Sequence, residues 1–187
     1  MNAFIALLGY FAAAFIIDNP KVGRFRLQKY GFIITGSLFC ICGLLRGKNV
    51  PSWLLIVMYF GSSFFGQCGP NCTTFVYPAE VFPTEMRTMC HGVSASAGKV
   101  GALLSAVLFN YIASGDGESS SLMFFISGYC SFAAFVITYF TLPETVTLDL
   151  YELDKKWRLI CTGKKHEYEG PANEARHLSY YECKATH

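Results

Sequence analysis

Charge is missing from long parts of this chain. No Asp, Glu, Lys or Arg occurs from Asn49 to Ala79 or from Ser119 to Pro143. Charged residues make up 15% of the 187 positions and hydrophobic ones 52%, with a mean hydropathy of +0.34. A soluble domain has about 25% charged residues, and such uncharged runs are long enough to cross a hydrocarbon core of about 30 Å. The chain also lacks a Gly-x-Ser-x-Gly elbow, a phosphate-binding loop and a zinc-spaced His/Cys set, which argues against an enzyme and against any metal or other cofactor. No basic residues precede the first apolar stretch, and Ile16-Ile17-Asp18 is not a small-residue cleavage site, so that stretch is not a signal peptide. A formal net charge of only +2 gives no reason to expect a nucleic-acid partner.

What remains is an all-α pattern, read as an integral membrane helical bundle. Five apolar segments are expected at 4–17, 31–45, 53–76, 88–112 and 122–142, within a transmembrane region covering 1–147. The first is short for a span and reads as a helix that has lost its beginning. Lys21, Arg24, Arg26 and Lys29 follow the first span, Arg87 follows the third, and seven further Lys and Arg lie in the tail, 148–187. The opposite side has only Arg46 and Lys48, plus an acidic loop with Asp116 and Glu118. The positive-inside rule therefore puts the tail in the cytoplasm, with the plasma membrane the expected location. Leu148, Leu150, Leu153, Trp157 and Ile160 recur at roughly helical spacing beside Lys155, Lys156 and Arg158, which predicts a short amphipathic helix on the membrane surface. Beyond Cys161 the polar segment is expected to be irregular. The eight cysteines lie mostly in spans or cytoplasmic segments, where disulfides are rare, and read as small packing residues.

Two polar interruptions stand out. Lys99 sits in the apolar, glycine-punctuated run Cys90–Ala102, and an unpaired ammonium at bilayer depth costs from about 3 to more than 10 kcal/mol. A helix entering near Thr88 puts Lys99 about 16 Å deep, too far for its stem to reach either surface comfortably. It must face a wet cavity or a partner: an anion is the simplest partner, and a carboxylate on another helix the alternative. The second interruption, Gln67-Cys68-Gly69-Pro70-Asn71, weakens its helix because Pro70 removes an amide donor. Backbone freed at such a break can line a solute site at the midplane.

The loops carry charge as well. Asp18-Asn19-Pro20-Lys21-Val22-Gly23-Arg24 forms a tight turn between two helices, and Tyr77-Pro78-Ala79-Glu80-Val81-Phe82-Pro83 precedes Arg87, the expected partner of Glu80. Such charges can lock one conformation of a moving protein. An ordinary solvated loop fits each pattern equally well.

Together these residues carry a resemblance. Gly66-Gln67-Cys68-Gly69-Pro70-Asn71-Cys72-Thr73-Thr74, Pro78-Ala79-Glu80-Val81-Phe82-Pro83, and His91-Gly92-Val93-Ser94-Ala95 followed by Gly98-Lys99-Val100-Gly101-Ala102 are similar to the proton-coupled inorganic phosphate symporters of the major facilitator superfamily. Asp18…Gly23-Arg24 resembles that superfamily's cytoplasmic loop, and Leu142-Pro143-Glu144-Thr145 its Pro-Glu-Thr signature. The resemblance implies helices eight to twelve of a twelve-helix fold, hence a fragment whose N-terminal half is absent. It implies inorganic phosphate and protons as partners, with alternating access across a lipid bilayer. It assigns phosphate coordination to Asn71, which Lys99 joins as the buried charge. Gln67, one turn earlier on the same face, is a weaker candidate whose alternative is an interhelical hydrogen bond, and Asp18, Arg24, Glu80, Arg87 and Glu144 are the candidate gating or conformational charges of the loops. The chain departs from the pattern in three places. Two extra residues separate Asp18 from Gly23, Gln67 stands where Asn is common, and Val146-Thr147 follows Pro-Glu-Thr where a glycine is usual. No carboxylate lies inside the five segments, so the proton site is expected in the absent part. A sugar or other organic-solute porter of the same superfamily is the alternative, although an uncharged sugar gives Lys99 no role. A non-transporting membrane fragment is the other.

Overall fold

The computed structural model describes residues 1–46, 48, 50–113 and 119–186; the expected acidic loop with Asp116 and Glu118 lies outside them. Among the described residues there is no strand. The helices are α1 (Asn2–Ile16), α2 (Gly23–Arg46), α3 (Ser52–Gly66), α4 (Cys72–Val81), α5 (Arg87–Ala113), α6 (Ser119–Thr141), α7 (Leu150–Cys161) and α8 (Tyr180–Thr186). A π-helical turn, Gln67–Asn71, joins α3 to α4. Among the described residues, three helices are long and apolar enough to cross a membrane: α2, α5 and, over Ser121–Thr141, α6. α1, at 15 residues, extends only about 22 Å. α2 begins eight residues before the apolar stretch expected there, because its first two turns are built from loop residues.

α2 is the central element. Its closest partner is α6, where Gly36 lies against Gly128 and Ser131, and Gly43 against the Phe125 ring. α2 also crosses the broken helix at Gly31 and Gly69, where a Cβ on Gly69 would stand 2.8 Å from the Leu27 carbonyl oxygen. Only glycine allows this approach, which presses the π turn directly onto α2. α1 covers the other side of α3 and the π turn. Of the three membrane-length helices, α5 is held least: it meets α4 and α6 along short stretches, and none of its residues is buried. Exposed apolar side chains such as Leu103, Leu104 and Val107 on α5 and Phe15 on α1 suit a hydrocarbon surrounding better than water.

Candidate functional site

The π turn is a consequence of its sequence. Pro70 has no N–H to give the preceding turn, so the regular ladder cannot run through it. The hydroxyl of Thr73, fully buried, donates back to the Gly69 carbonyl at 3.0 Å and approaches that of Pro70 at 3.3 Å, and Thr74 donates to the Asn71 carbonyl at 3.1 Å. Side-chain hydroxyls thereby satisfy carbonyls that the distorted ladder releases.

Asn71 at the end of this turn and Lys99 at mid-length of α5 line one open cleft of about 590 Å³. Gln28 of α2, Thr74 and Tyr77 of α4, and His91, Ser94 and Gly98 of α5 complete much of its wall. Positions 91, 94, 95, 98, 99 and 102 of α5 all face it, the spacing of a single helical stripe. Lys99 is exposed, and among the described residues no carboxylate stands within ion-pair distance of it. Asn71 is more committed than the sequence suggests: its amide nitrogen donates to the Tyr10 hydroxyl at 2.9 Å and to the Gln67 side-chain oxygen. Both donors expected for an oxyanion are therefore engaged here, and a ligand must displace one of these acceptors to use them. Gln67 lies outside the wall and reaches the cleft only through Asn71. Tyr10 and Gln28 escaped the sequence reading. Gln28 sits among loop charges ahead of the apolar stretch, yet it is buried, donating to the Thr138 hydroxyl at 3.1 Å.

The charged loop residues form a second cluster at the end of the bundle bearing α7. Arg24 pairs with Glu80 at 2.8 Å and with Asp18 at 3.1 Å. Gly23 has φ +67°, a conformation that other residues adopt only with strain, and the chain turns there into α2. Glu144 accepts the backbone N–H groups of Arg24 at 2.9 Å and Phe25 at 3.2 Å, and Glu80 accepts the Thr145 hydroxyl. The expected pairing of Glu80 with Arg87 needs correcting. Arg87 turns back onto its own connector, donating to the Phe82 carbonyl at 3.4 Å and the Thr84 hydroxyl at 3.3 Å. Glu80 pairs with Arg24 instead.

Past Cys161 the tail is largely irregular, as expected, with short 3₁₀ turns leading to α8, but it folds back on the loops. His177 is buried, with Nδ1 2.7 Å from the Glu144 carbonyl oxygen, and Lys156 is buried, donating to the Ala172 carbonyl at 3.0 Å with Glu182 3.6 Å away. Tyr168 and Ala172 are buried alongside, and Tyr180 meets Phe140 of α6 edge to face with ring centroids 5.1 Å apart. Leu153, Trp157 and Ile160 of α7 pack towards Val81, Leu148 and Ala172, so this stripe meets protein. Isolated tail residues look polar because the apolar ones that bury them belong to distant segments. Among the described residues no cysteine forms a disulfide.

Apolar membrane-length helices beside an open cleft, one wall formed by a broken helix and the other bearing Lys99, fit a helical membrane protein. The chain belongs to the family described as "Sugar (and other) transporter", whose model matches residues 2–157; it is a partial helical bundle of the major facilitator superfamily. It is 36% identical over 158 residues to a Schizosaccharomyces pombe protein bearing a provisional name as an inorganic phosphate transporter, which covers 82% of this chain and 26% of that protein. It is 35% identical over 150 residues to low affinity inorganic phosphate transporter 4 of Petunia hybrida, covering 78% of this chain and 28% of the relative. The chain thus spans between a quarter and a third of the length of these curated relatives.

Proposed function

We propose that this chain is part of a proton-coupled inorganic phosphate symporter and supplies one side of its anion site. One observation carries the reading: Lys99 and Asn71, from two helices with little other contact, line the same cleft. A fixed ammonium without a carboxylate partner attracts an anion, and amide donors suit its oxygens. Asn71 is the coordinating residue, Lys99 the charge, and Gln67 the group that holds the Asn71 amide until the ligand arrives. The protein is not an enzyme. Its membrane is the plasma membrane, with the tail and the Arg24–Glu80–Glu144 cluster on the cytoplasmic side and the cluster holding one conformation of an alternating-access cycle. Protons and the remaining helices complete the system from outside this chain. The relatives' names support phosphate as the solute. The family description admits sugars, but a neutral sugar would leave Lys99 without a role.

To test this, residues 1–187 replace the matching segment of the S. pombe relative, and uptake of radiolabelled phosphate is measured in cells without other phosphate uptake. Uptake is expected to rise with external acidity and to fall at least tenfold in Lys99→Ala and Asn71→Ala. Wild-type uptake in both variants, at equal membrane abundance, would overturn the site assignment.

A further inference from the structure

α5 carries half of the cleft yet is packed only lightly against the bundle, so something must fix its distance from α4. The connector between them, residues 82–86, is short, and α7 grips it and its flank from one face. Asp154 Oδ1 accepts the Thr84 backbone N–H at 2.8 Å, and Oδ2 accepts the Thr84 hydroxyl. Trp157 donates its indole N–H to the Val81 carbonyl at 3.2 Å, and Arg158 reaches Glu85 at 3.2 Å. Residues 154, 157 and 158 occupy one side of a helix, and all three touch residues 81–85. The opposite side of α7 is fixed by the tail, through Lys156 to the Ala172 carbonyl and Glu152 to the Tyr168 hydroxyl at 2.9 Å.

These contacts are not equivalent. Both members of the Arg158–Glu85 pair are 75% exposed, and such pairs contribute little. Asp154 makes two bonds to one residue, one of them to a backbone amide of the connector. The Thr84 hydroxyl and amide, with smaller help from Arg87 and Arg158, hold the Asp154 carboxyl below its ordinary range, so it is ionised and accepts both bonds at neutral pH.

We propose that Asp154 is a positioning residue for the anion cleft: by clamping Thr84 it sets the α4–α5 spacing at which Asn71 and Lys99 meet one ligand. This rests on the phosphate reading above. It extends the role of α7 from covering the loops to setting affinity at Lys99, more than three helical turns from the start of α5.

The test uses the same chimera and separates KM from maximal rate. Asp154→Ala is expected to raise the phosphate KM about fivefold with little change in maximal rate per transporter. Asp154→Asn, whose amide oxygen still accepts from the Thr84 N–H, is expected to return to within twofold of wild type. A Thr84→Cys/Asp154→Cys pair is expected to recover a near wild-type KM when oxidised and lose it on reduction. Asp154→Ala lowering abundance or maximal rate while leaving KM unchanged would overturn the clamp, as would failure of the oxidised pair to recover KM. If Lys99→Ala leaves KM unchanged while Asp154→Ala raises it, the clamp stands and the phosphate-site assignment falls.

Discussion

Glu144 closes the open end of α2: its carboxylate receives the Arg24 and Phe25 backbone amides at 2.9 and 3.2 Å from 120 residues away in sequence. The first amides of a helix have no internal partner and carry partial positive charge, and Gly23 offers no side chain to cap them. Replacing Glu144 with Ala strands these donors beside a part-buried Arg24 and is expected to destabilise the bundle by about 1–3 kcal/mol. Thermal unfolding in detergent would measure the loss. Glu144→Gln, which keeps an acceptor without the charge, should lose less, and an unchanged midpoint in both would refute the cap.

Thr147 has φ +68°, the sole non-glycine residue with positive φ among the described residues. A β-branched side chain in this region is strained by roughly 1–2 kcal/mol. Thr147→Gly is expected to raise stability by about 1 kcal/mol, part of the relief being offset by the greater freedom of glycine in the unfolded chain. A lower unfolding midpoint would show that the methyl contacts outweigh the strain.

The glycines divide into two kinds. Gly69→Ala puts a methyl 2.8 Å from the Leu27 carbonyl oxygen, where backbone must move, and is expected to cost several kcal/mol or prevent folding. Gly92→Ala meets nothing within 4 Å and should be neutral or stabilising by up to about 1 kcal/mol. Fluorescence-detected size exclusion of the two variants would separate these outcomes, and equal behaviour would contradict the packing.

The docked tail should respond to acid. Burial alone would raise the Glu182 carboxyl, but the Ser179 amide and the Lys156 ammonium outweigh it and hold the group below its ordinary range. A depressed folded value means that its contribution is present above the unfolded value of about 4.3 and is lost as pH falls through the folded value. Hydrogen-exchange protection of residues 168–182, taken relative to the intrinsic rate at each pH, should therefore fall as pH drops below the unfolded value of about 4.3, and Glu182→Gln should make protection in this segment less pH-dependent. Protection in Glu182→Gln that falls with acid as steeply as in the wild type would refute the assignment.

Much of this architecture is legible in the sequence. Long uncharged runs mark α6 and the broken α3–α4 unit, and Lys99 in α5 and the Gly69-Pro70 break stand out because each violates the local pattern around it. What escapes are pairings whose partners are far apart in the chain. Glu80 takes Arg24 instead of the nearby Arg87 because helix packing, and not sequence distance, decides which cation arrives. Tyr10 looks like an ordinary apolar-stretch residue until α1 brings it to Asn71. Gln28 looks like loop because the turn needed to start α2 early is supplied by Glu144. The docking of the tail is hidden because its few apolar residues are buried only when Leu153 and Val81 come together around them.

The π turn at Gln67–Asn71 is in effect a one-residue insertion in a continuous helix. Each extra residue rotates the downstream turns by about 100°, so the broken helix can press Gly69 against α2 and, within the next turn, aim Asn71 and Thr74 into the cleft. Removing one residue from this turn would leave a segment of similar hydrophobicity whose later turns are out of phase by about 100°. Its polar groups would then point into packed neighbours. A binding wall is therefore encoded here by a count of residues as much as by their kinds.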